Sequence, residues 1–336
     1  MARYYRSDLG QNARVSTEIT GYAVSTLLFL NERTGDSAYL DAALNAARFL
    51  TRVAWDPKLG TFPFELAPSP VFAYFFDCGI TVRGLLCAWR VTEETEFRDI
   101  AIAAGRSMLA DFSSGEGINP ILGLPDKRPL AWESRWSASP GCYQLKSAMA
   151  WHELFEVTGE HEFQCAYESA LQAALENEHA FLAAEADPLR IMDRLHAYAY
   201  FLEGLLPALD RPECAVAFRD GVHRASRLLR EIEPVFARSD VYAQLLRARL
   251  VGQARGVLAL NEADAAHEAE QAASFRTPSG GFLFGRKQGE ALPFVNPVST
   301  AFCVQALALW EDHLTHGSTH VSTHVSTQLG SKSGVI

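Results

Sequence analysis

The chain has 336 residues, 48% of them hydrophobic, and a formal net charge of −10. Such a composition can bury a large core, and a length beyond the usual single domain suits a repeat architecture grown around one closed core. The negative balance disfavours nucleic acid and anionic membrane surfaces as partners, since both require a basic face.

Residues 1–8 lack an apolar leader-like run, and no later stretch reaches the roughly 18 uninterrupted apolar residues of a membrane span, so a cytoplasmic protein is expected. Apolar periodicity then predicts about eleven helices in pairs. They fall near 16–33 and 36–53, 77–92 and 94–112, 142–158 and 160–183, 190–209 and 212–231, and 240–255 and 261–274. An eleventh, near 297–314, has no downstream partner unless residues 1–14 or the tail supply one. Turns within pairs are short: Thr34-Gly35-Asp36 and Thr158-Gly159-Glu160 place a glycine for the left-handed cap before an acid for the next helix start. Val91-Thr92-Glu93-Glu94 does the same job without a glycine. Connections between pairs are longer, at 55–76 and 115–140, and 277–287 reads as a hairpin, placing a small β-hairpin near 280–295. The tail from Thr315 to Ile336 is low-complexity and is expected to be disordered, although His316, His320 and His324 are four apart. The six cysteines form no CxxC pair, so buried free thiols are expected rather than disulfides or zinc ligands, and neither a metal nor a cofactor is implied.

The first helix of each pair is apolar on most sides, as in Gly21-Tyr22-Ala23-Val24, and the second carries a polar stripe, as in Glu213 to Asp220. Enclosed helices alternating with solvated ones predict an inner and an outer ring, hence an all-α toroid of helical hairpins over residues 1–314 as one domain. The phrases Thr34-Gly35-Asp36-Ser37-Ala38-Tyr39 and Leu154 to Phe163 resemble those of the (α/α)6 toroid group. Its members include six-hairpin glycosidases, N-acylglucosamine 2-epimerase-like enzymes and several polysaccharide lyases. The resemblance spans roughly residues 16–314 and implies architecture better than chemistry. Phe76-Asp77-Cys78-Gly79 is also similar, through its Asp and Gly, to a phrase around a catalytic aspartate in unsaturated glucuronyl hydrolases.

In a toroid the N-terminal ends of the inner helices share one face, so their polar residues converge. Those positions hold Glu18; Asp77 with Arg83; Tyr143, Gln144 and Lys146; Asp193, Arg194 and His196; Asp240, Tyr242 and Gln244; and Asn296, Ser299 and Thr300. The simplest role for Asp77, Asp193 and Asp240 is N-capping. Capping does not account for Arg83, Lys146, Arg194 or His196, because a cation in a first turn opposes the helix dipole. Asp77 follows Tyr74-Phe75-Phe76, an apolar setting that raises a carboxyl pKa toward the range of a general acid. His196 lies three residues after Asp193, so the two share a helix face and His196 could act as acid or base. Candidate catalytic residues are therefore Asp77, His196, Asp193, Glu18 and Tyr143. Arg83, Lys146, Arg194, Asp240, Gln244, Arg286, Asn296 and Trp136 are candidates for holding a substrate.

Aromatics in the long loops, including Phe64, Tyr74, Trp132 and Trp136, provide flat apolar faces of the kind sugar rings stack on. Loop cations, including Lys127, Arg128, Arg135, Arg286 and Lys287, would focus an anionic ligand in an otherwise acidic chain. The expected partner is thus a small carbohydrate, with an acidic sugar favoured, either a uronate or a sugar phosphate. Hydrolysis would use two carboxyls; epimerisation or elimination would use His196, Tyr143 or Lys146 for proton transfer, with Arg83 or Arg194 neutralising charge. Two other readings remain open from sequence: a non-catalytic toroid that binds a glycan or protein, and a cyclase-like enzyme on an apolar substrate. Against the last, the chain has no DxDD or DDxxD run.

Overall fold

The computed structural model describes residues 1–68, 71–115, 117–183 and 185–316. It divides into two compact units, one of Met1–Arg3 and Arg14–Asn177, the other of Tyr4–Ala13 and residues 178–316. Residues 317–336, with most of the expected tail and two of its spaced histidines, lie outside the described residues.

The first unit contains α1 (Thr17–Thr34), α2 (Ser37–Phe49), α3 (Phe75–Thr92), α4 (Thr95–Ser107), α5 (Gln144–Thr158) and most of α6 (His161–Ala183). Local chemistry sets their ends. Ser16 accepts a hydrogen bond from the Ile19 N–H to start α1, and Asp36 accepts one from Ala38 to start α2. Gly35 and Gly159 end α1 and α5 in the left-handed conformation, with φ of 71° at each. In the turn that lacks glycine, Glu93 itself takes φ of 62°. Both α2 and α4 run on into a π-helical turn, over Leu50–Ala54 and Met108–Phe112.

Helices α1 and α3 are buried over most of their length, whereas α4 buries only Phe97, Ala101, Ala104 and Gly105. The enclosed helices α1, α3 and α5 pack side by side, with α2 and α4 outside them. Glycines permit the close approach. A Cβ on Gly84 would lie 2.7 Å from the Gly21 carbonyl oxygen, and one on Gly79 would lie 2.5 Å from that of Ser147. Gly21 and Gly79 lie in the second turns of α1 and α3 and Gly84 at the middle of α3, so the backbones of α1 and α3, and of α3 and α5, touch along their N-terminal halves. In front of α3, Phe72–Tyr74, Ile121–Gly123 and Arg128–Pro129 form an antiparallel sheet, with Ala73 opposite Leu122.

The second unit contains α7 (Pro188–Gly204), α8 (Pro212–Ile232), α9 (Ser239–Ala254), α10 (Glu262–Ser274) and α11 (Pro297–His316). Helix α9 is buried on nearly every side, between α7 and α11, while α8 and α10 lie against it from outside. Helix α11 extends two residues beyond the predicted end at 314. The expected hairpin is present, Gly285–Lys287 with Glu290–Ala291, and joins Phe236–Arg238 in an antiparallel sheet.

Residues 1–14 do not supply a twelfth helix, as the sequence left open. Tyr5–Arg6 instead forms a strand between Gln11–Asn12 and Phe294–Val295. All six cysteines are free thiols, five buried and Cys165 exposed. No group of three metal-ligating side chains occurs among the described residues, and no described helix is long and apolar enough to cross a membrane.

Candidate functional site

In the first unit, Glu18 in the first turn of α1 and Asp77 in that of α3 form an electrostatically coupled carboxyl pair. Asp77 is 4% exposed and its Oδ2 makes no hydrogen bond among the described residues. The aspartate does not cap its helix: α3 begins at Phe75 after Tyr74, with no side-chain cap. Burial, and then the charge of Glu18, push the Asp77 carboxyl well above its ordinary range, with partial relief from Arg3. Glu18 is half-buried, and burial raises its carboxyl to about 7 despite the neighbouring charges of Arg3 and Lys146. Burial and like charge both oppose ionisation of the Asp77 carboxyl while Glu18 is ionised.

The residues around the pair are aromatic and cationic. Lys146, fully buried on α5, places its Nζ 5.0 Å from the Tyr22 ring centroid. Arg3 lies over the Phe64 ring at 5.2 Å and bonds Glu65 at 2.9 Å. Tyr74 packs against Phe64 with ring centroids 4.9 Å apart, and Trp136 meets Tyr143 edge-on at 5.0 Å. The Tyr143 hydroxyl donates to the Ser139 carbonyl at 3.0 Å, and burial raises its pKa, so it stays a phenol and is no base. Gln144 bridges the Gly141 N–H and the Ile118 carbonyl, pinning two loops to the start of α5.

A second cluster lies within the other unit. His196 Nδ1 is 2.8 Å from Gln244 Oε1 and 3.7 Å from Asp240 Oδ2. An amide oxygen can only accept, so Nδ1 carries the proton and Nε2 is the basic nitrogen. The Tyr200 ring packs on the imidazole at 4.5 Å. Arg238 holds Asp240 through two hydrogen bonds, at 3.0 and 2.8 Å, and reaches Asp193 at 2.8 Å. Burial would raise the Asp240 carboxyl, but Arg238 and His196 outweigh it and hold the group below its ordinary value. Gln244 is 1% exposed, and its Nε2 donor finds no partner among the described residues.

The expected capping by Asp193 and Asp240 does not occur. Asp187 caps α7, and α9 has no side-chain cap. Asp193 pairs with Arg238 at 2.8 Å, whereas the His196 ring is held by Gln244. Several candidate ligand-holding residues have structural partners instead. Arg83 bonds Glu153 at 2.7 Å, and Arg90 bonds the other oxygen of the same carboxylate. Arg194 donates to the Phe181 carbonyl and stacks on that ring. Arg286 stacks on Phe275 at 4.3 Å and bonds Ser274, and Asn296 caps α11 by accepting from Val298. Arg3, Glu65, Tyr22 and Arg238, which border the two clusters, were absent from the sequence candidates. Their only signal was a cation or acid next to an aromatic, too common a pattern to single out.

No protein-family model matches the chain, and no curated protein matches it by sequence. Solved structures do match. The chain is similar to the cellobiose 2-epimerase from Bacillus thermoamylovorans B4167, at 11% identity and TM-score 0.69, over 91% of this chain and 92% of that one. It is similar to the cellobiose 2-epimerase from Spirochaeta thermophila DSM 6192, at 15% identity and TM-score 0.67, over 89% and 87%. A D-mannose isomerase matches at 9% identity and TM-score 0.66, over 92% and 90%. At such identities the likeness is one of fold: the chain has the all-α helical-hairpin fold of the (α/α)6 toroid, six-hairpin group.

Proposed function

We propose that this chain is a carbohydrate-active enzyme that works by general acid–base chemistry, with glycoside hydrolysis as the reaction. The observation that carries this reading is the coupled Glu18–Asp77 pair, both carboxyls raised, with Asp77 Oδ2 buried and unpartnered. Asp77, the more enclosed of the two, is the acid: it gives its proton to the glycosidic oxygen as the bond to the anomeric carbon breaks. Glu18, more accessible and titrating at about 7, is the base. It takes a proton from the water whose oxygen bonds to that carbon, and proton exchange with solvent restores the pair. Phe64, Tyr74 and Trp136 offer ring faces for the sugar, and the charges of Arg3 and Lys146 act on Glu18.

The test is turnover of neutral and uronic-acid nitrophenyl glycosides by the wild-type chain, Asp77→Asn and Glu18→Gln. Loss of a general acid or base slows such reactions by about 10²–10⁴-fold. Wild-type turnover that survives in Asp77→Asn refutes the assignment. A folded chain that binds sugars and turns none over is a glycan-binding protein instead.

One observation favours a second chemistry, epimerisation or elimination through His196. Its Nδ1–H is fixed by Gln244, which makes Nε2 the nitrogen that takes a proton from a sugar carbon, and Asp240 stands 3.7 Å from Nδ1 to stabilise the imidazolium. Deuterium uptake from solvent into a reducing sugar, abolished in His196→Asn, distinguishes this chemistry from hydrolysis.

A further inference from the structure

Most cations that the sequence placed in the loops of the first unit have carboxylate partners. Lys127 pairs with Asp111, and Arg128 lies 3.6 Å from Asp126. Arg135 differs: it is exposed and has no carboxylate within ion-pair distance among the described residues. Its guanidinium instead acts on the Tyr74 hydroxyl and on Tyr143, two groups that also feel the charge of Asp77.

The backbone that presents Arg135 is constrained. Its carbonyl accepts from the Ala138 N–H at 3.0 Å, closing the tight helical turn Trp136–Ala138. The Glu133 N–H donates to the Ala138 carbonyl, and the Tyr143 hydroxyl ties Ser139 to the start of α5. Trp136, half-buried and edge-on to Tyr143, follows directly in sequence. A cation without a carboxylate partner, beside the Trp136 face and against the Tyr74 hydroxyl, suits a ligand with an apolar ring face and an anionic substituent.

We infer that Arg135 is the residue that selects an anionic sugar, by pairing its guanidinium with the carboxylate or phosphate of the substrate while the ring lies against Trp136. The inference rests on the carbohydrate reading of the Asp77 cluster. A guanidinium offers two parallel N–H donors to either anion, which lysine cannot reproduce.

The test is calorimetric binding of D-glucuronate, D-glucose 6-phosphate and D-glucose to the whole chain and to Arg135→Gln and Arg135→Lys. The exposed position makes both variants compatible with folding. The wild-type chain is expected to bind at least one anionic sugar about tenfold more tightly than glucose, and which one separates a uronate from a phosphate ligand. Arg135→Gln is expected to abolish that preference, and Arg135→Lys to restore it only in part. No preference in the wild type, or one that survives in Arg135→Gln, overturns the inference. Glycoside turnover that depends on Asp77 and ignores Arg135 sinks this inference alone; turnover that ignores Asp77 sinks the carboxyl-pair reading.

Discussion

Replacing Glu18 with glutamine keeps the side chain's shape and removes its charge, which separates what this group costs the fold from what it contributes to chemistry. Burial raises the Glu18 carboxyl from 4.5 to about 7, against the partial relief given by Arg3 and Lys146. At about 1.36 kcal/mol per tenfold change in acidity, an ionised Glu18 costs roughly 3 kcal/mol of folding stability. The folded chain therefore binds this proton more tightly than the unfolded chain does. The group's contribution is fully present below the unfolded value of 4.5 and is lost as pH rises toward about 7. Glu18→Gln should consequently match the wild type near about pH 4 and exceed it by up to about 3 kcal/mol near about pH 8. Urea unfolding at a series of pH values measures this directly. The charge of Glu18 also helps raise Asp77, so the variant should lower the Asp77 pKa and move the alkaline limb of any pH–rate profile, where the acid loses its proton, to lower pH. A stability gain independent of pH, or a loss at high pH, would refute the claim that Glu18 is held in an unfavourable ionised state.

Two further substitutions test how the site is positioned. Gly84→Ala places a Cβ 2.7 Å from the Gly21 carbonyl oxygen and should destabilise the chain by about 1–3 kcal/mol. By forcing α1 from α3 it should also weaken the coupling between Glu18 and Asp77, visible as a narrower separation of their titrations by NMR. Glu93→Gly relieves a left-handed backbone at φ of 62° and should stabilise the chain by about 1 kcal/mol, read as a higher urea midpoint with an unchanged slope.

The helices were legible because their ends are written locally. Ser16, Gly35, Asp36 and Gly159 cap within a few residues of their own positions, and the enclosed character of α3 and α9 follows from their composition. Glu18 and Asp77 could be placed from sequence as acids in the first turns of apolar helices, whereas His196 lies in the middle of α7. Tertiary partners were not legible. Arg83 meets Glu153 across 70 residues, and the strand Tyr5–Arg6 pairs with Phe294–Val295 almost the whole chain away.

By itself, then, the sequence determined the order, type and pairing of the helices and which of them are enclosed, because capping and periodicity act over a few residues. Only the tertiary structure decided which polar helix starts are spent on internal partners, as Arg83, Arg194 and Asn296 are, and which keep unmet hydrogen-bonding capacity, as Asp77 and Gln244 do. The reason is physical: desolvation and pairing depend on which residues the packing of other helices brings within a few ångströms, and separation along the chain carries no record of that.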